Sequence, residues 1–550
     1  MQQADRNSPS TDIVFITYVH PPNLQDDPEI YTATRLMMEG IPASIPILKS
    51  AAAGRSSRAE LLLAAEEEMT VGMPPVLTPI LLQEAMARRG VVLRDITYID
   101  AEIEKLKSYI ETGIGLFALS TTWCSGMAAA VAVRDCARRL KALAPHIPIV
   151  AGGISVKKAM KTKELIDTGY FAPEEIPRLK NEYLLLDAEM DADIDAVVVT
   201  DAAENVLSEI ALRIRRNEDF RSLPGLALPE ATGYRFTPPL EAEPDLDSEL
   251  VDWRNQVDRL EFHAAPIRTA SGCPFKCGFC DFSTLFKVRS RSVDSLLREL
   301  RTLAAAKPAP RQVFFADDNV ALNKKRLKKL TRAIIDENMQ LSWRAFIRAD
   351  SIDAETAALM RESGCMECFM GVESGDPRIL KAMNKKLDPE RALSAAEQLD
   401  AMGINTLSTF VVGFPGETAE SIERTAAFIS SLPKGDGANA IHRYQLFRFY
   451  LVSLCPVAGP ESRARFDLHG IGDNWYHSTM SAEEAKEAMR EIFLKVSGTP
   501  LMYLETLPTD WTTSNIRRVM TLRDEIVRSR MQGRPADIGS LLAVVRAAEQ

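Results

Sequence analysis

The chain has 550 residues, enough for about three domains of ordinary size. With 46% hydrophobic and 26% charged residues, the composition excludes a disordered chain and a collagen-like repeat, and no apolar run reaches the roughly 18 residues that predict a membrane-spanning helix. A net charge of -10 without a basic tract argues against nucleic-acid binding, and eight cysteines are too few for a secreted disulfide scaffold. We therefore expect a cytoplasmic protein whose residues 1–10 form a disordered end without a signal-peptide pattern.

The first part of the chain alternates apolar strands with helices. Short runs rich in β-branched residues predict buried strands at Asp12–Tyr18, Val91–Ile99, Gly115–Ser120, Ile147–Ala151 and Ala196–Thr200. Amphipathic segments between them predict helices, among them 51–70, Met73–Gly90 and Gly126–Leu143. This alternation predicts a doubly wound parallel sheet, of the α/β class, over residues 11–225. A stretch rich in Pro, Glu and Asp then predicts a surface linker over 226–255.

The alternation restarts after the linker. Strands are predicted at Ile267–Ala270, Gln312–Ala316, Ser342–Arg348, Glu367–Val372, Asn405–Val412 and Tyr444–Leu451, with helices between them. Six such units predict a partial (β/α)6 barrel over 256–452, whose working groups lie at the carboxyl ends of its strands. The remaining residues, 453–550, are predicted to be mainly helical.

Three of the cysteines lie close together, directly after the first predicted barrel strand. Cys273, Cys277 and Cys280 have the spacing C-x3-C-x2-C. Three thiolates on one loop can hold three irons of a [4Fe-4S] cluster and leave the fourth iron open to a ligand that is not protein. A zinc knuckle and incidental buried thiols are the alternatives. Zinc prefers four ligands in a closed site, and no histidine or fourth cysteine follows at zinc-finger spacing, so the cluster is favoured.

With Phe279 directly before the last cysteine, this motif resembles the signature of the radical S-adenosylmethionine (SAM) superfamily. The resemblance covers roughly residues 263–450. It implies that the open iron binds the amino and carboxylate groups of SAM, and that an electron from the cluster cleaves SAM to a 5′-deoxyadenosyl radical. An external reductant of the flavodoxin or ferredoxin type is implied as well.

Other barrel positions resemble the SAM-binding segments of the same family. The resemblance implies that Glu373 and Ser374 contact the polar groups of SAM, that Val412 and Gly413 line its adenine, and that Arg348 binds its carboxylate. We also expect weaker, substrate-facing roles at the strand ends for Asp317, Asp318, His442, Tyr444 and Arg448. For each residue the alternative is a capped strand end or ordinary packing. The second C-x2-C, Cys365 and Cys368, is predicted to be buried as small hydrophobes.

Polar residues also follow the predicted strands of the N-terminal sheet, where doubly wound sheets bind their ligands. They are Ser120, Thr121, Thr122, Gly152, Gly153, Thr200 and Glu204. No G-x-G-x-x-G follows the first strand, which argues against NAD. The segment is similar to the Rossmann-like cobalamin-binding domain that precedes the barrel in one large radical SAM subgroup. The D-x-H-x-x-G motif of some cobalamin proteins is absent, so the lower ligand of cobalt is unassigned, and a fold kept only for packing is the alternative.

Together these features predict a cobalamin-dependent radical SAM methyltransferase acting on a small molecule, with no nucleic-acid or membrane partner, as a monomer. The methyl acceptor is expected to be an unactivated carbon or, by resemblance to the phosphinothricin-type P-methyltransferases, a phosphinate phosphorus. Two alternatives stay open. One is a ring cyclisation or rearrangement that uses both cofactors without methyl transfer. The other is an iron–sulfur electron-transfer or binding protein.

Overall fold

The computed structural model describes residues 11–19, 28–64, 76–122, 129–240, 245–259, 264–307, 312–434, 437–503, 505, 507–508 and 510–550. These residues form two compact units. Unit 1 comprises residues 1–24, 76–252 and 470–473, and unit 2 comprises residues 25–75, 253–469 and 474–550. Cys124 and the expected disordered end at 1–10 lie outside the described residues.

Unit 1 is built on a seven-stranded sheet whose strands are apolar because both faces are covered. The strands are β1 (Thr11–Tyr18), β2 (Leu93–Tyr98), β3 (Ile114–Ser120), β4 (Ile149–Gly152), β5 (Ala196–Val198), β6 (Leu226–Glu230) and β7 (Gly233–Phe236). Its helices are Leu77–Ala87, Ile103–Thr112, Ala129–Leu143, Ile154–Asp167, Ile176–Glu182 and Ala203–Arg215. Strands pair in the order β2-β1-β3-β4-β5-β6-β7. The first five are parallel, so the predicted doubly wound α/β sheet is confirmed.

The linker expected at 226–255 is wrong in its first third. Residues Leu226–Glu230 and Gly233–Phe236 form an antiparallel hairpin that pairs with β5 and extends the sheet. Leu226, Ala227 and Leu228 are buried there. The hairpin pairs with the hydrogen-bonding edge that β5 would otherwise leave free. The Pro- and acid-rich composition of the neighbouring residues concealed this short strand pair.

Unit 2 contains a six-stranded parallel sheet in simple chain order, which confirms the partial barrel. Its strands are β8 (Ala265–Ile267), β9 (Gln312–Phe315), β10 (Ser342–Ile347), β11 (Cys365–Glu373), β12 (Asn405–Val412) and β13 (His442–Arg448). The helices that follow them are Phe282–Leu285, Val293–Ala305, Lys324–Asp336, Ala354–Glu362, Pro377–Ala382, Pro389–Ala401 and Ala419–Ser431. Most have Ser, Asp, Asn or Thr as N-cap, with its side chain accepting a backbone N–H of the first turn.

The region after the barrel is helical, as expected, but also contains strands. Its helices are Pro460–Phe466, Ala482–Lys495, Thr513–Met531 and Ile538–Ala548. A three-stranded sheet, His469–Ile471, Asn474–His477 and Met480–Ser481, interrupts them. Gly470 and Gly472 adopt positive φ angles of 83° and 68° at its turn, which a helix does not allow.

The segment 28–64 packs against the C-terminal region instead of completing unit 1, so the expectation of one domain over 11–225 is wrong for this segment. Its helices include Pro28–Ala33 and Ile45–Ala52, and residues 58–64 are helical as well. The helix expected over 51–70 is therefore confirmed for 58–64 and interrupted by a turn at 53–57, while 65–70 lie outside the described residues. Arg523 Nη1 donates to Ala43 O at 3.0 Å, and Ile45 N donates to Glu505 Oε2 at 2.7 Å. The main chain of this segment therefore hydrogen-bonds to both members of the buried Arg523–Glu505 ion pair of the C-terminal region.

Candidate functional site

The cysteine loop, residues 273–280, begins just after β8. Cys277 is buried, Cys273 and Cys280 are half-buried, and all three are free thiols. Gly272 precedes the loop with φ at 77°, and a Cβ there would lie 2.7 Å from Lys287 O. Only glycine fits this turn, so the backbone is shaped to bring the three thiols onto one short loop.

Hydrogen bonds between the main chain of the loop and two distant segments hold the loop. Gly278 N donates to Met383 O at 2.7 Å, and Asn384 Nδ2 donates to Lys276 O at 2.7 Å. On the other side, Val457 N donates to Gly278 O at 2.9 Å. The end of the helix Pro377–Ala382 therefore fixes the loop beside the carboxyl end of β11.

Asp317, expected to face substrate, instead supports the approach to the loop. Its buried carboxylate accepts hydrogen bonds from Thr269 N at 2.6 Å, from Ala270 N at 2.9 Å and from the Thr269 hydroxyl. Burial raises the pKa of Asp317, and these hydrogen bonds oppose the rise. Asp318 points differently: its side chain is exposed, and its pKa is raised to about 6 by desolvation and then by the charge of Asp317. Of the two, only Asp318 is available to a ligand.

Two cationic side chains lie against the aromatic residues of the loop. The Arg348 guanidinium lies 3.7 Å from the Phe275 ring centroid and donates to both Asp350 oxygens at 3.0 Å. Its Nη2 also donates to Lys385 O at 2.8 Å. The Lys385 ammonium lies 5.9 Å from the ring centroid of Phe279. Arg348, expected from the sequence, and Lys385, which the sequence interpretation missed, therefore meet at the loop.

Glu373 is the partner of Lys385 and lies at the carboxyl end of the central barrel strand. Its Oε1 accepts from Lys385 Nζ at 2.7 Å, and both side chains are buried. Glu373 has φ at 71°, unusual for a residue other than glycine and typical of functional sites. A Cβ at Gly371 would lie 2.5 Å from Glu373 Oε1 and 3.0 Å from Lys385 Nζ. The ion pair therefore occupies the space above Gly371.

Ser374, the neighbour of Glu373, is engaged within its own turn. Its hydroxyl accepts from Asp376 N at 3.1 Å and lies 3.3 Å from the hydroxyl of Thr425. Ser374 is fully buried. These contacts favour a role in shaping the turn, so Glu373 is the better candidate of the two for contacting SAM.

The thiols of the loop are partly or fully buried, and Cys277 lies near two positive charges. Burial raises the pKa of Cys277, and the positive charges of Lys385 and Arg348 oppose this rise. Burial also raises the pKa of Cys280 to about 12. No group of three or more His, Cys, Asp or Glu converges on one metal ion within the described ranges. A cubane takes one thiolate for each of three irons, and three thiols on one loop are the donor set that it needs.

Gly413, expected to line adenine, lies in a tightly packed turn after β12. Its φ is 94°, and a Cβ there would lie 2.5 Å from the Trp475 ring. Its N–H donates at 2.5 Å to the buried Glu417 carboxyl, whose pKa burial raises to about 8. Val412, directly before it, is buried too. The Phe414 ring follows and lies 3.1 Å from where a Cβ of Gly278 would be. The turn therefore reaches the cysteine loop.

The three candidate site residues on β13 have different surroundings. His442 lies at the start of the strand, far from its carboxyl end, with Nδ1 2.7 Å from the Thr406 hydroxyl and Nε2 3.1 Å from Asp400 Oδ1. Tyr444 is fully buried, and its segment pairs with Leu501 and Met502 of the C-terminal region. Arg448 ends the strand, opposite Val412. The geometry supports a site role for Arg448 and structural roles for the other two.

Cys365 and Cys368 are fully buried, with their sulfur atoms 3.8 Å apart. They start β11, at the opposite end of the strand from Glu373. Their position agrees with the expectation of small buried hydrophobes.

In unit 1, the carboxyl ends of β3 and β4 come together as expected. A Cβ at Gly153, whose φ is 133°, would lie 2.8 Å from Thr121 Oγ1 and 2.9 Å from both Thr122 N and Thr122 Oγ1. Thr121 N donates to Gly152 O at 2.8 Å. The order β2-β1-β3-β4-β5 places the reversal of connections at β1 and β3, where sheets of this topology bind ligands.

Two buried hydroxyls lie near these strand ends. Thr121 Oγ1 and Thr17 Oγ1 have no hydrogen-bond partner among the described residues, and they lie near the carboxyl ends of adjacent strands β3 and β1. Thr17 was missed because a single Thr inside the apolar run DIVFITY carries no functional signal. Ser120 is buried beside them, and its hydroxyl accepts from Thr122 N at 3.3 Å.

The remaining candidates lie one strand further along. Thr200 Oγ1 accepts from Ala202 N at 3.3 Å, and Glu204 lies half-buried in the first turn of the next helix. A glycine cradle and unpartnered hydroxyls fit a large polar ligand such as cobalamin, whereas Thr200 serves its own turn.

Comparison with known proteins identifies the class to which this architecture belongs. Residues 267–429 match the model of the Radical SAM superfamily, so this part of the chain is a radical SAM domain. The chain is also similar to an uncharacterized methyltransferase of Pyrococcus horikoshii, at 30% identity over 44% of this chain and 53% of that protein. The chain spans about a third to a half of the length of the curated relatives that it matches.

Two solved structures are similar in fold to this chain over most of its length. One is the radical SAM methyltransferase TsrM from Kitasatospora setae, with tryptophan and a SAM analogue bound, at TM-score 0.54 and 16% identity, covering 86% of this chain and 95% of that one. The other is the cobalamin-dependent radical SAM enzyme OxsB with aqua-cobalamin bound, at TM-score 0.58 and 12% identity, covering 94% and 72%. The chain therefore has the fold of cobalamin-dependent radical SAM enzymes. No helix among the described residues is long and apolar enough to cross a membrane.

Proposed function

We propose that the protein is a cobalamin-dependent radical SAM methyltransferase that moves a methyl group from SAM to an unactivated carbon of a small molecule. The observation that carries this proposal is the cysteine loop, with three free thiols in the turn that follows the first strand of a radical SAM domain. Its likeness in fold to TsrM and OxsB supports the part assigned to cobalamin.

The residues of unit 2 divide into ligands and supports. Cys273, Cys277 and Cys280 would hold the cluster, and Phe279 would pack beside it. When bound, the cluster supplies the electron that cleaves SAM, and cobalamin carries the methyl group. Arg348 and Lys385, each paired with a carboxylate, place positive charge near Cys277, and this charge opposes the rise in the pKa of its thiol.

Glu373 is suited to the amino acid part or the ribose of SAM. A buried carboxylate accepts charge-assisted hydrogen bonds from an ammonium or from hydroxyls. Its present partner, Lys385, is itself a cation that could pair with the SAM carboxylate once Glu373 turns to the ligand. Together the two residues offer one site for each charge of an amino acid. Val412 and Gly413 would line the adenine through their backbone.

In unit 1, we assign cobalamin to the crevice at the ends of β1, β3 and β4. Thr17, Thr121 and Thr122 offer hydroxyls, and Gly153 lets the chain after β4 pass close to Thr121 and Thr122. We keep Thr200 and Glu204 as more peripheral contacts. No histidine is proposed as a lower ligand.

Methyl transfer by this route has a fixed balance. Each product molecule consumes two SAM and two electrons, yields one S-adenosylhomocysteine, one 5′-deoxyadenosine and one methionine, and exchanges one substrate hydrogen for a methyl group. We assign the electrons to an external reductant of the flavodoxin or ferredoxin type. A monomer in the cytoplasm completes the proposal.

The test uses the full chain, reconstituted anaerobically with iron, sulfide and cobalamin. We expect about four irons per chain and the formation of both S-adenosylhomocysteine and 5′-deoxyadenosine from SAM. Cys277→Ala should lose the cluster absorbance and 5′-deoxyadenosine. Cys455→Ala, which removes another buried thiol that is not on the loop, should keep both. Equal behaviour of the two variants would refute the assignment.

Product analysis separates the alternatives. A gain of one methylene supports methyl transfer, and carbon or phosphorus NMR then identifies the acceptor atom. Loss of hydrogens without a methylene would replace the proposal by a rearrangement. A cluster that is indifferent to SAM in electron paramagnetic resonance would replace it by an electron carrier.

A further inference from the structure

The inner face of the barrel sheet carries a cluster of three aromatic rings. Phe346 of β10 and Phe369 of β11 are paired in register, and their ring centroids are 5.0 Å apart. Phe314 of β9 completes the cluster, with its centroid 6.0 Å from Phe346 and 6.1 Å from Phe369. Both contacts of Phe314 are edge-on, the geometry that aromatic rings prefer.

This cluster is open, whereas the opposite face of the same strands is covered. Trp343, Ala345 and Ile347, which alternate with Phe346 along β10, are buried. Phe346, the next-to-last residue of β10, is itself 43% exposed. Helices follow each strand and cover the outer face, so the exposed ring belongs to the inside of the barrel. A large apolar side chain exposed in the barrel interior marks a space for a ligand.

Residues that are in register on neighbouring strands form layers across the inner face of the sheet, and polar groups near the rings lie in two of these layers. In the layer of Phe346 and Phe369, Arg443 is buried and ion-paired with Glu367, so this end is already neutralised. One layer closer to the cysteine loop, Gly371, Thr409 and Gln445 are in register. Gly371 has no side chain, and the ion pair of Glu373 and Lys385 fills the position that a Cβ would take.

Gln445 supplies one free acceptor in this layer. Its Oε1 is buried and has no hydrogen-bond partner in the described part of the chain. A buried carbonyl oxygen without a partner costs free energy, and a donor from a ligand would recover it. The inner face therefore combines a surface for a flat ring with a place for an N–H or O–H group at Gln445.

We infer that this face binds an aromatic ring of the substrate, a ring that carries an N–H or O–H donor directed at Gln445. The inference rests on the proposed function, since it places the ring below Glu373 and Lys385, within the barrel that the cysteine loop caps. The substrate class is then a phenol or a nitrogen heteroaromatic, and a substrate without an aromatic ring is excluded.

The test measures binding and not turnover. The reconstituted full chain with SAM is titrated with 5-fluoroindole and with 5-fluoro-1-methylindole, which lacks the donor, and binding is followed by fluorine NMR. We expect saturable binding of 5-fluoroindole and at least about tenfold weaker binding of the methylated probe, because a site with a buried hydrogen-bonding group discriminates against a ligand that cannot pair with it. In Gln445→Leu the two probes should bind equally.

A matched pair of variants tests the rings. Phe346→Ala should weaken binding of 5-fluoroindole at least about fivefold, since it removes an aromatic contact. Phe236→Ala is the control, because Phe236 also lies on a strand and is 42% exposed, but belongs to unit 1. Phe346→Leu keeps an apolar side chain and removes the ring, so it tests the aromatic contact even where Phe346→Ala does not fold. The melting temperature of each variant is recorded.

Three results would overturn the inference: no saturable binding of 5-fluoroindole, equal effects of the two alanine variants, or a preference for the N–H probe that survives in Gln445→Leu. The same samples are assayed for S-adenosylhomocysteine and 5′-deoxyadenosine. Products without probe binding would refute the aromatic site alone, whereas loss of both products in the wild-type protein would refute the proposed function.

Discussion

Lys385 Nζ and Glu373 Oε1 lie 2.7 Å apart, both buried, and they join the segment that holds the cysteine loop to the end of the central barrel strand. Because neither charge has access to bulk water, each depends on the other.

We predict that Lys385→Met and Glu373→Gln each lower the melting temperature, since removing one member of a buried pair typically costs about 3–5 kcal/mol. The double variant should lose less stability than the sum of the losses in the two single variants. Thermal melts of the three proteins measure this coupling. Strict additivity would show that the two side chains do not interact.

The close packing around Gly153 predicts that a substitution there affects the binding of cobalamin but not that of the iron–sulfur cluster. Gly153→Ala should reduce cobalamin binding, measured by retained absorbance after gel filtration, and leave the iron content unchanged. Gly233→Ala is the matched control. Its φ of 138° is as unfavourable for alanine as the 133° of Gly153, but nothing lies within 4 Å of its Cβ position. If both variants keep cobalamin, the ligand does not occupy this crevice.

The approach to the cysteine loop depends on Asp317. Asp317→Asn keeps the size of the side chain but replaces one acceptor oxygen by a donor, against two backbone N–H groups and a hydroxyl that all need acceptors. We expect a lower melting temperature and incomplete iron loading. Asp318→Asn, on the exposed neighbour, should change neither quantity. Iron analysis and thermal melts decide between these outcomes.

The buried Glu417 predicts a dependence of stability on pH. The pKa of Glu417 is raised from 4.5 to about 8, foremost by burial. Between these values the folded state holds a proton that the unfolded state releases, so the free energy of unfolding should fall as the pH rises through this window. Glu417→Gln cannot titrate and should show a flatter profile from pH 5 to 9. Parallel profiles would place the pKa of Glu417 near its ordinary value.

The barrel could be predicted from the sequence because its signals are local. The strand predicted at Asn405–Val412 has these bounds in the structure, since an apolar run between two helical patterns has only one stable place in such a fold. The cysteine spacing is likewise a property of eight consecutive residues.

Features that depend on distant contacts could not be predicted. Lys385 follows a short helix among other lysines, and only the folded chain shows that it is buried against Glu373. His442 looked available beside Arg443, because nothing in its neighbourhood announces Asp400 as its partner. The hairpin at 226–236 lies next to charged residues that indicate a linker, whereas the open edge of the sheet determines its pairing.

The hydrogen bond between Ala43 and Arg523 spans 480 positions of the chain. At about 5–20 residues per second, the ribosome needs roughly 24 to 96 s to make the second partner after the first. During that time the segment 28–64 lacks the C-terminal region against which it packs in the folded protein. Shortening the protein at its C-terminus should therefore release this segment too, and an excised radical SAM domain would lack part of its own support.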